Sequence, residues 1–388
     1  MTITRPVRRL LAFLLLSCAA LGLGASSASL SCGPFLDVAP DAFCPFVLEI
    51  FYLGITTGTT PTTYDPGSSV NRLQMAAFLS RTVDGVLKRG SRRAALDRFW
   101  KAQNASVLGL TTIGPNPALL RSDGTDVWVA NNGGGGTVSR VRAGDGKLLE
   151  TWTGADSAFG VAVAAGRILV TGDTSPGKLY TIDPTQAAGA VTVVASTLPD
   201  FPVAITFDGA RAWTANGSGS VSIVTPGTIP WTVTTVTTGF GSLFDVLFDG
   251  AFVWAGDFTA NTLLKLDSAG AVLQTVTVGT GPEHAIFDGA NIWVPNFSSS
   301  SVTVVRASNG AVLQTLTGDG LSLPITAAFD GERVLVTNFT DSISLWKAAD
   351  LTSLGTSPMP ASSTPRGACS DGTYFWIALN GAGRVARF

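Results

Sequence analysis

The strongest constraint on this 388-residue chain is a two-residue turn that keeps returning. Asp123, Asp208, Asp249, Asp288, Asp330 and Asp371 are each followed by Gly, and Ala165-Gly166 fills the one gap, so successive turns stand 39 to 43 residues apart. Short apolar runs lie between them. In GPEHAIFDGANIWVPNFSSSSVTVVRASNGAVLQT, Gly281 to Thr315, one run ends at Phe287, a second spans Trp293 to Asn296, a third Val302 to Val305, and a fourth follows Asn309-Gly310. Units of four short strands recurring every ~40 residues predict a mostly β chain, a seven-bladed β-propeller, because that period suits radial stacking of small sheets better than a sandwich.

Other landmarks keep phase with the turn. Five residues after the Asp stand Trp128, Trp213, Trp254, Trp293 and Trp376, with Leu335 in one copy; eight after, counting Ala165 as an anchor, stand Asn131, Asp173, Asn216, Asp257, Asn296 and Asn338. Apolar neighbours flank the Trp positions, which predicts packing between blades. The Asn/Asp ring ends the second run of successive blades, where such side chains bond nearby backbone. The last copy stops at Phe388 after three runs, and the run ASVLGLTTIGP, Ala105 to Pro115, precedes the first copy and resembles a fourth run. Pairing it beside Gly383 to Phe388 would close the ring and leave no open edge there.

Composition narrows the partners. Charged residues make up 13% of the chain, well below the usual ~25%, and the formal charge of -2 gives no general attraction to nucleic acid or anionic lipid. Arg5, Arg8 and Arg9, the apolar run Leu10 to Leu16 and the small residues Ser26-Ser27-Ala28 read as a signal peptide over residues 1–28, so the mature chain is expected to be exported. Leu15-Leu16-Ser17-Cys18 also fits a lipobox, but the apolar run continues past Cys18 to Leu23, which favours ordinary cleavage. No second apolar stretch reaches the ~18–20 residues that would cross a bilayer. Cys32 and Cys44 flank a short loop, and an oxidising compartment makes a disulfide between them the expected pairing. Cys369 reads as a small buried hydrophobe.

Between residues 32 and 87 the periodicity becomes helical. Phe43, Phe46, Val47, Ile50 and Phe51 fall on one helix face, and Met75, Ala76, Leu79, Val83 and Leu87 stripe a second. FLDV at Phe35, LGITTG at Leu53, YDPGSSVNR at Tyr64 and MAAFLSR at Met75 together resemble a single S-layer homology (SLH) module. That resemblance implies attachment to cell-wall-linked polysaccharide, with Arg72 as the glycan contact. Asn71, Leu73 and Gln74 depart from the family's Thr, Ala and Glu, and one module stands where three commonly occur. Residues 88–103, which carry KRGSRRAALDRFWK apart from its flanks, read as a basic linker to a ring at residues 104–388.

VWVANNGGGGTVSRV, Val127 to Val141, and IWVPNFSSSSVTVV, Ile292 to Val305, resemble the YVTN-type propellers, a family whose fold hosts many functions. The loops after Asn131, Asp173, Asn216, Asp257, Asn296 and Asn338 should gather with the starts of the first runs, where Asp245 and Arg366 stand, on one binding face. Propellers of the virginiamycin B lyase type, metal-dependent enzymes using His and Glu near the channel mouth, are similar as well. That implies Glu283 and His284 as the catalytic candidates, His284 being the chain's sole His. Adjacent residues of a regular strand point to opposite faces, so the two are not expected to converge, and a catalytic metal normally takes three protein ligands. No phosphate-binding Gly loop, nucleophile elbow or HExxH is present. The expectation is therefore an exported, envelope-associated binding protein, without metal or cofactor and without nucleic-acid partner, whose partner is cell-wall polysaccharide or an envelope protein. A metal-dependent lyase or hydrolase at the mouth is the alternative.

Overall fold

The recurring Asp and Trp meet in space. In the computed structural model the Trp128 indole Nε1 donates to Asp123 Oδ2 at 2.8 Å, and Trp213, Trp254, Trp293 and Trp376 do the same to Asp208, Asp249, Asp288 and Asp371 at 2.7–2.8 Å. The other carboxylate oxygen of each Asp accepts two backbone N–H groups of its own turn, as Asp288 does from Ala290 and Asn291. One side chain thus closes the turn and satisfies a buried indole, which is why the spacing of five residues repeats. In blade six, where Leu335 replaces Trp, Arg333 bonds Asp330 instead.

The structure describes residues 32, 34–39, 43–52, 56, 58–72, 74–79, 82 and 109–388. They fall into two compact units, divided between Arg93 and Ala94. The expected signal peptide, basic linker and the ring's first residues, 104–108, lie outside the described residues.

The second unit holds seven four-stranded antiparallel sheets built from strands β1–β28. Blade one is β2–β5 (117–153), two is β6–β9 (158–198), three is β10–β13 (202–236), four is β14–β17 (243–277), five is β18–β21 (286–317) and six is β22–β25 (324–358). Blade seven combines β26–β28 (365–387) with β1 (Gly109–Thr112), which pairs Gly109 with Arg387 and Thr112 with Arg384. The ring closes as the sequence predicts, through Gly109–Thr112 of the run Ala105 to Pro115. Innermost strands contact those of both neighbouring blades all the way round, β26 (Pro365–Ser370) meeting β2 (Pro117–Ser122). The six largest fully buried side chains are Trp128, Trp213, Trp254, Trp293, Trp346 and Trp376, and the core clusters run between adjacent blades.

In the first unit, helix α1 covers Cys44–Tyr52 and residues 74–79 are helical. A disulfide joins Cys32 to Cys44. Phe35 is buried against the Phe51 and Tyr64 rings at 5.0 and 5.4 Å, and the Asp37 carboxylate accepts the Tyr64 and Asp65 backbone N–H groups at 2.8 and 2.7 Å. Asn71 Oδ1 accepts the Gln74 N–H while Gln74 Oε1 accepts the Asn71 N–H, a capping box that starts the second helical segment. The amide pair does here what Thr and Glu do in the usual box. Arg72 beside it is exposed. The second helical stripe is not buried as its periodicity predicts: Met75 and Leu79 are 48% and 61% exposed, since the small core around Phe35 and Val47 does not extend to them. Val83 and Leu87 lie outside the described residues. No helix of the described residues is long and apolar enough to cross a membrane.

Candidate functional site

Each innermost strand carries one extra residue near its start. Pro117 pairs with Asn131 and Leu120 with Val129, so three steps on one strand meet two on the other. The same excess recurs in blades two, three, four, six and seven. In blade five it falls between the Pro282–Asn296 and Ile286–Trp293 pairs. A bulge breaks the in–out alternation, so neighbours that a regular strand would send to opposite faces can share one.

That corrects the expectation for Glu283 and His284. His284 Nε2 stands 3.7 Å from Glu283 Oε2 and its Nδ1 stands 3.7 Å from Asp245 Oδ1, which places the imidazole between two carboxylates at electrostatic rather than hydrogen-bonding distance. The backbone explains the convergence. His284 N donates to Ile325 O and Ala327 N donates to His284 O, both at 3.0 Å, so this peptide has turned sideways onto blade six. On the other side Ala285 N donates to Asp245 Oδ2 of blade four at 2.8 Å. Blade five's first strand is thereby stitched to both neighbours, and its own ladder keeps the two-residue strand Ile286–Phe287, β18, and the isolated Pro282–Asn296 bridge.

The bulges divide the mouth into two arcs. Ala118, Leu119, Phe159 and Val203, from blades one to three, form one buried apolar cluster. Asp245, Glu283, His284 and Arg366, from blades four, five and seven, form the charged arc. Arg366 joins the two, its guanidinium carbon lying 4.7 Å above the Phe159 ring, and Phe159 in turn stands 6.3 Å from the His284 ring. Gly367 beside Arg366 has no room for a side chain, because a Cβ would run into the Ala118 carbonyl; blades seven and one meet backbone to backbone here.

Glu283, Asp173 and Arg366 are held away from their ordinary pKa values. Burial pushes the Glu283 carboxyl up, against the pull of His284 and Arg366. Burial likewise raises Asp173, opposed by Arg366, and lowers Arg366, opposed by Glu283 and Asp173. Asp245 and His284 are 4% and 3% exposed.

The Asn/Asp ring divides by role. Asn131, Asn216, Asn296 and Asn338 are buried, and each Nδ2 donates to two hydroxyls of the next strand: Thr137 and Ser139, Ser220 and Ser222, Ser301 and Thr303, Ser342 and Ser344. Asp257 accepts from Gly241 N and Ala260 N. Asp173 does not share their position. The turn of blade two has two residues, Ala165-Gly166, between β6 and β7 (Arg167–Gly172), where the other Asp-Gly turns have at least three, so counting from the turn overshoots by one. Gly172 fills the ring position, pairing with Ala158 as Asn131 pairs with Pro117. Asp173 occurs one step later and faces Arg366 electrostatically.

That later position forms a rim on the loop face. Asp173, Phe258, Phe297 and Phe339 each donate their backbone N–H to the carbonyl of the residue that precedes the first pair of the adjacent inner segment: Ser157, Ser242, Gly281 and Leu323. Phe258 packs on Phe244 with ring centroids 4.7 Å apart, and Phe297 and Phe339 stand 6.3 Å apart. Phe339 is 42% exposed and Phe201, before blade three, is 50% exposed. Phe159 and this Phe rim escaped sequence reasoning; their signal is placement one residue past the strand-entry pair or the Asn position.

Among the described residues no three His, Cys, Asp or Glu side chains gather to hold a metal ion. Each imidazole nitrogen of His284 stands 3.7 Å from a carboxylate oxygen, outside hydrogen-bonding distance, and the Arg366 cation stands within electrostatic range of Glu283 and Asp173.

The fold and mouth define a seven-bladed β-propeller with an asymmetric, partly charged channel entrance on its loop face. Its likeness to solved structures is one of fold. Virginiamycin B lyase from Staphylococcus aureus matches with a TM-score of 0.62 at 15% identity, over 72% of this chain and 98% of that one. Hydrazine synthase from Kuenenia stuttgartiensis matches with a TM-score of 0.61 at 16% identity, over 72% and 96%. The WD40 propeller domain of Doa1 matches with a TM-score of 0.61 at 12% identity, over 74% and 96%. No protein-family model and no curated protein matches the chain.

Proposed function

We propose that this is an exported, envelope-associated binding protein in which the SLH-like N-terminal unit attaches to cell-wall glycan and the propeller's loop face recognises a partner. The observation that carries the recognition half is a pair of exposed aromatic rings in the strand-connecting loops: Phe201, before blade three, and Phe339, in the rim of blade six, stand 50% and 42% exposed. Exposed aromatic rings beside uncommitted polar groups are what a binding surface needs, apolar contact area with polar selectivity. The anchoring half is supported by the order of the SLH-like segments and by the exposed Arg72 at a capped helix start.

Co-sedimentation with purified envelope tests both halves. The full mature chain should pellet, Arg72→Ala should reduce pelleting, and residues 104–388 alone should bind only through the loop face, losing what binding they have in Phe201→Ala/Phe339→Ala. Failure of the full chain to pellet overturns the anchoring half.

A second reading is supported by the convergence of Asp245, Glu283, His284 and Arg366. Groups of both signs held at one mouth are the material of acid–base catalysis, as in a lyase or hydrolase, and virginiamycin B lyase shares the fold. The near-complete burial of His284 and Asp245 favours binding over proton transfer to a substrate. Turnover of a glycan or cyclic peptide that is abolished by His284→Ala would reverse that preference.

A further inference from the structure

Three unpaired buried polar atoms stand near the mouth. Asp173 Oδ1, His284 Nδ1 and Thr326 Oγ1 are buried without a hydrogen-bond partner among the described residues, and His284 and Thr326 are 3% and 2% exposed and bridged to each other through their backbones. Folded proteins rarely leave such atoms unpaired unless something else meets them. Arg366 adds an unused guanidinium fork: it stacks on Phe159 at 4.7 Å, yet among the described residues no side-chain hydrogen bond or ion pair closes on it. Glu283 and Asp173 act on it only at longer range.

We infer that the mouth is a subsite for a neutral saccharide unit, held between Arg366 and the carboxylates of Glu283 and Asp173. The inference rests on the loop face being the recognition surface proposed above, and names its ligand class. The charges select the chemistry. An anion drawn to Arg366 meets two carboxylates, and a cation drawn to the carboxylates meets Arg366. A hydroxyl donates to a carboxylate and accepts from a guanidinium at once, and vicinal hydroxyls present two such groups at a spacing that suits both planar side chains. Because Arg366 supplies the positive charge, binding requires no metal.

The test is retention of the full mature chain on an array of neutral, uronic-acid-bearing and amino-sugar oligosaccharides, with and without EDTA. Neutral glycans should be retained in EDTA, and Arg366→Ala should weaken retention by about tenfold or more, the loss of charged hydrogen bonds. Arg366→Lys, which keeps the charge and removes the fork, should lose most of the same affinity, and equal thermal melting of both variants excludes unfolding. Retention lost in Arg72→Ala but unchanged in Arg366→Ala would place all glycan binding in the N-terminal unit and overturn the inference while sparing the anchor. Loss in Arg366→Ala alone would sustain the mouth and overturn the anchor. Preference for acidic or amino sugars, EDTA sensitivity, or retention of no glycan would each overturn the inference.

Discussion

Carboxylates at the two ends of the propeller behave in opposite ways. At the turn end, burial would push Asp123 and Asp208 up, but the Trp128 and Trp213 indoles and the turn N–H groups outweigh it and hold both below the usual carboxylate range. At the mouth, burial pushes Asp173 and Glu283 up and no donor compensates. The same fold therefore uses one set of acidic groups to hold itself together and keeps another uncommitted. Bonded and unpaired carboxylates are separated along the channel axis, and if the mouth is the recognition site proposed above, substitutions at the two ends should have different readouts.

The sharpest contrast is in unfolding. Trp293→Ala should lower stability in urea by ~3–5 kcal/mol, as large aromatic truncations do, whereas Arg366→Ala should stay within ~1 kcal/mol because among the described residues no side-chain hydrogen bond or ion pair depends on the guanidinium. A large loss in Arg366→Ala would break the comparison. Next comes Asp249→Ala, which removes the acceptor for Ala251 N, Phe252 N and Trp254 Nε1 and should cost about 1–3 kcal/mol for the orphaned buried donor; the urea midpoint reads it directly.

The pH dependence sharpens the point further. A folded-state pKa below the unfolded value gives stability that is present above the unfolded pKa, near ~4, and lost as pH falls through the folded one. Asp208→Asn should thus flatten the acid limb of a stability–pH curve. Asp173 and Glu283 carry the opposite sign: their raised folded pKa values favour the folded state below the unfolded pKa, and that contribution is lost as pH rises through the folded values. Glu283→Gln should accordingly leave the acid limb in place and raise stability at neutral pH. The smallest effect belongs to the N-terminal unit, where Arg72→Ala should shift the urea midpoint by no more than ~0.5 kcal/mol equivalent while reducing envelope pelleting.

Much of the ring was legible because its repeat is a repeated bond. An Asp that caps its turn and holds a Trp five residues on must recur at fixed spacing, and so the blade number and the closing strand could be read from Asp123 to Asp371 and from Ala105 to Pro115. The mouth was legible only in part. Asp245, Glu283, His284 and Arg366 were visible as residue types, but their convergence depends on a backbone bulge that no side chain announces. Pro117, Pro202, Pro282, Pro324 and Pro365, each at the last regular pair before the bulge, are the nearest thing to a signal. Asp173 was assigned to the wrong ring because blade two shortens its turn by one residue, and a count cannot detect a deletion that the pairing register makes plain.

Closure by β1 has a consequence in time. Blades one to six each pair strands adjacent in sequence, so each can form as soon as its own ~40 residues exist. Blade seven cannot, because Gly109 must wait for Arg387. Folding is then a race in which β28 (Arg384–Arg387) keeps an open edge until β1 returns from the far end of the ring, and during that wait the edge invites a neighbouring molecule's strand. The seam that makes the finished ring seamless is the place where two chains are most apt to be exchanged for one.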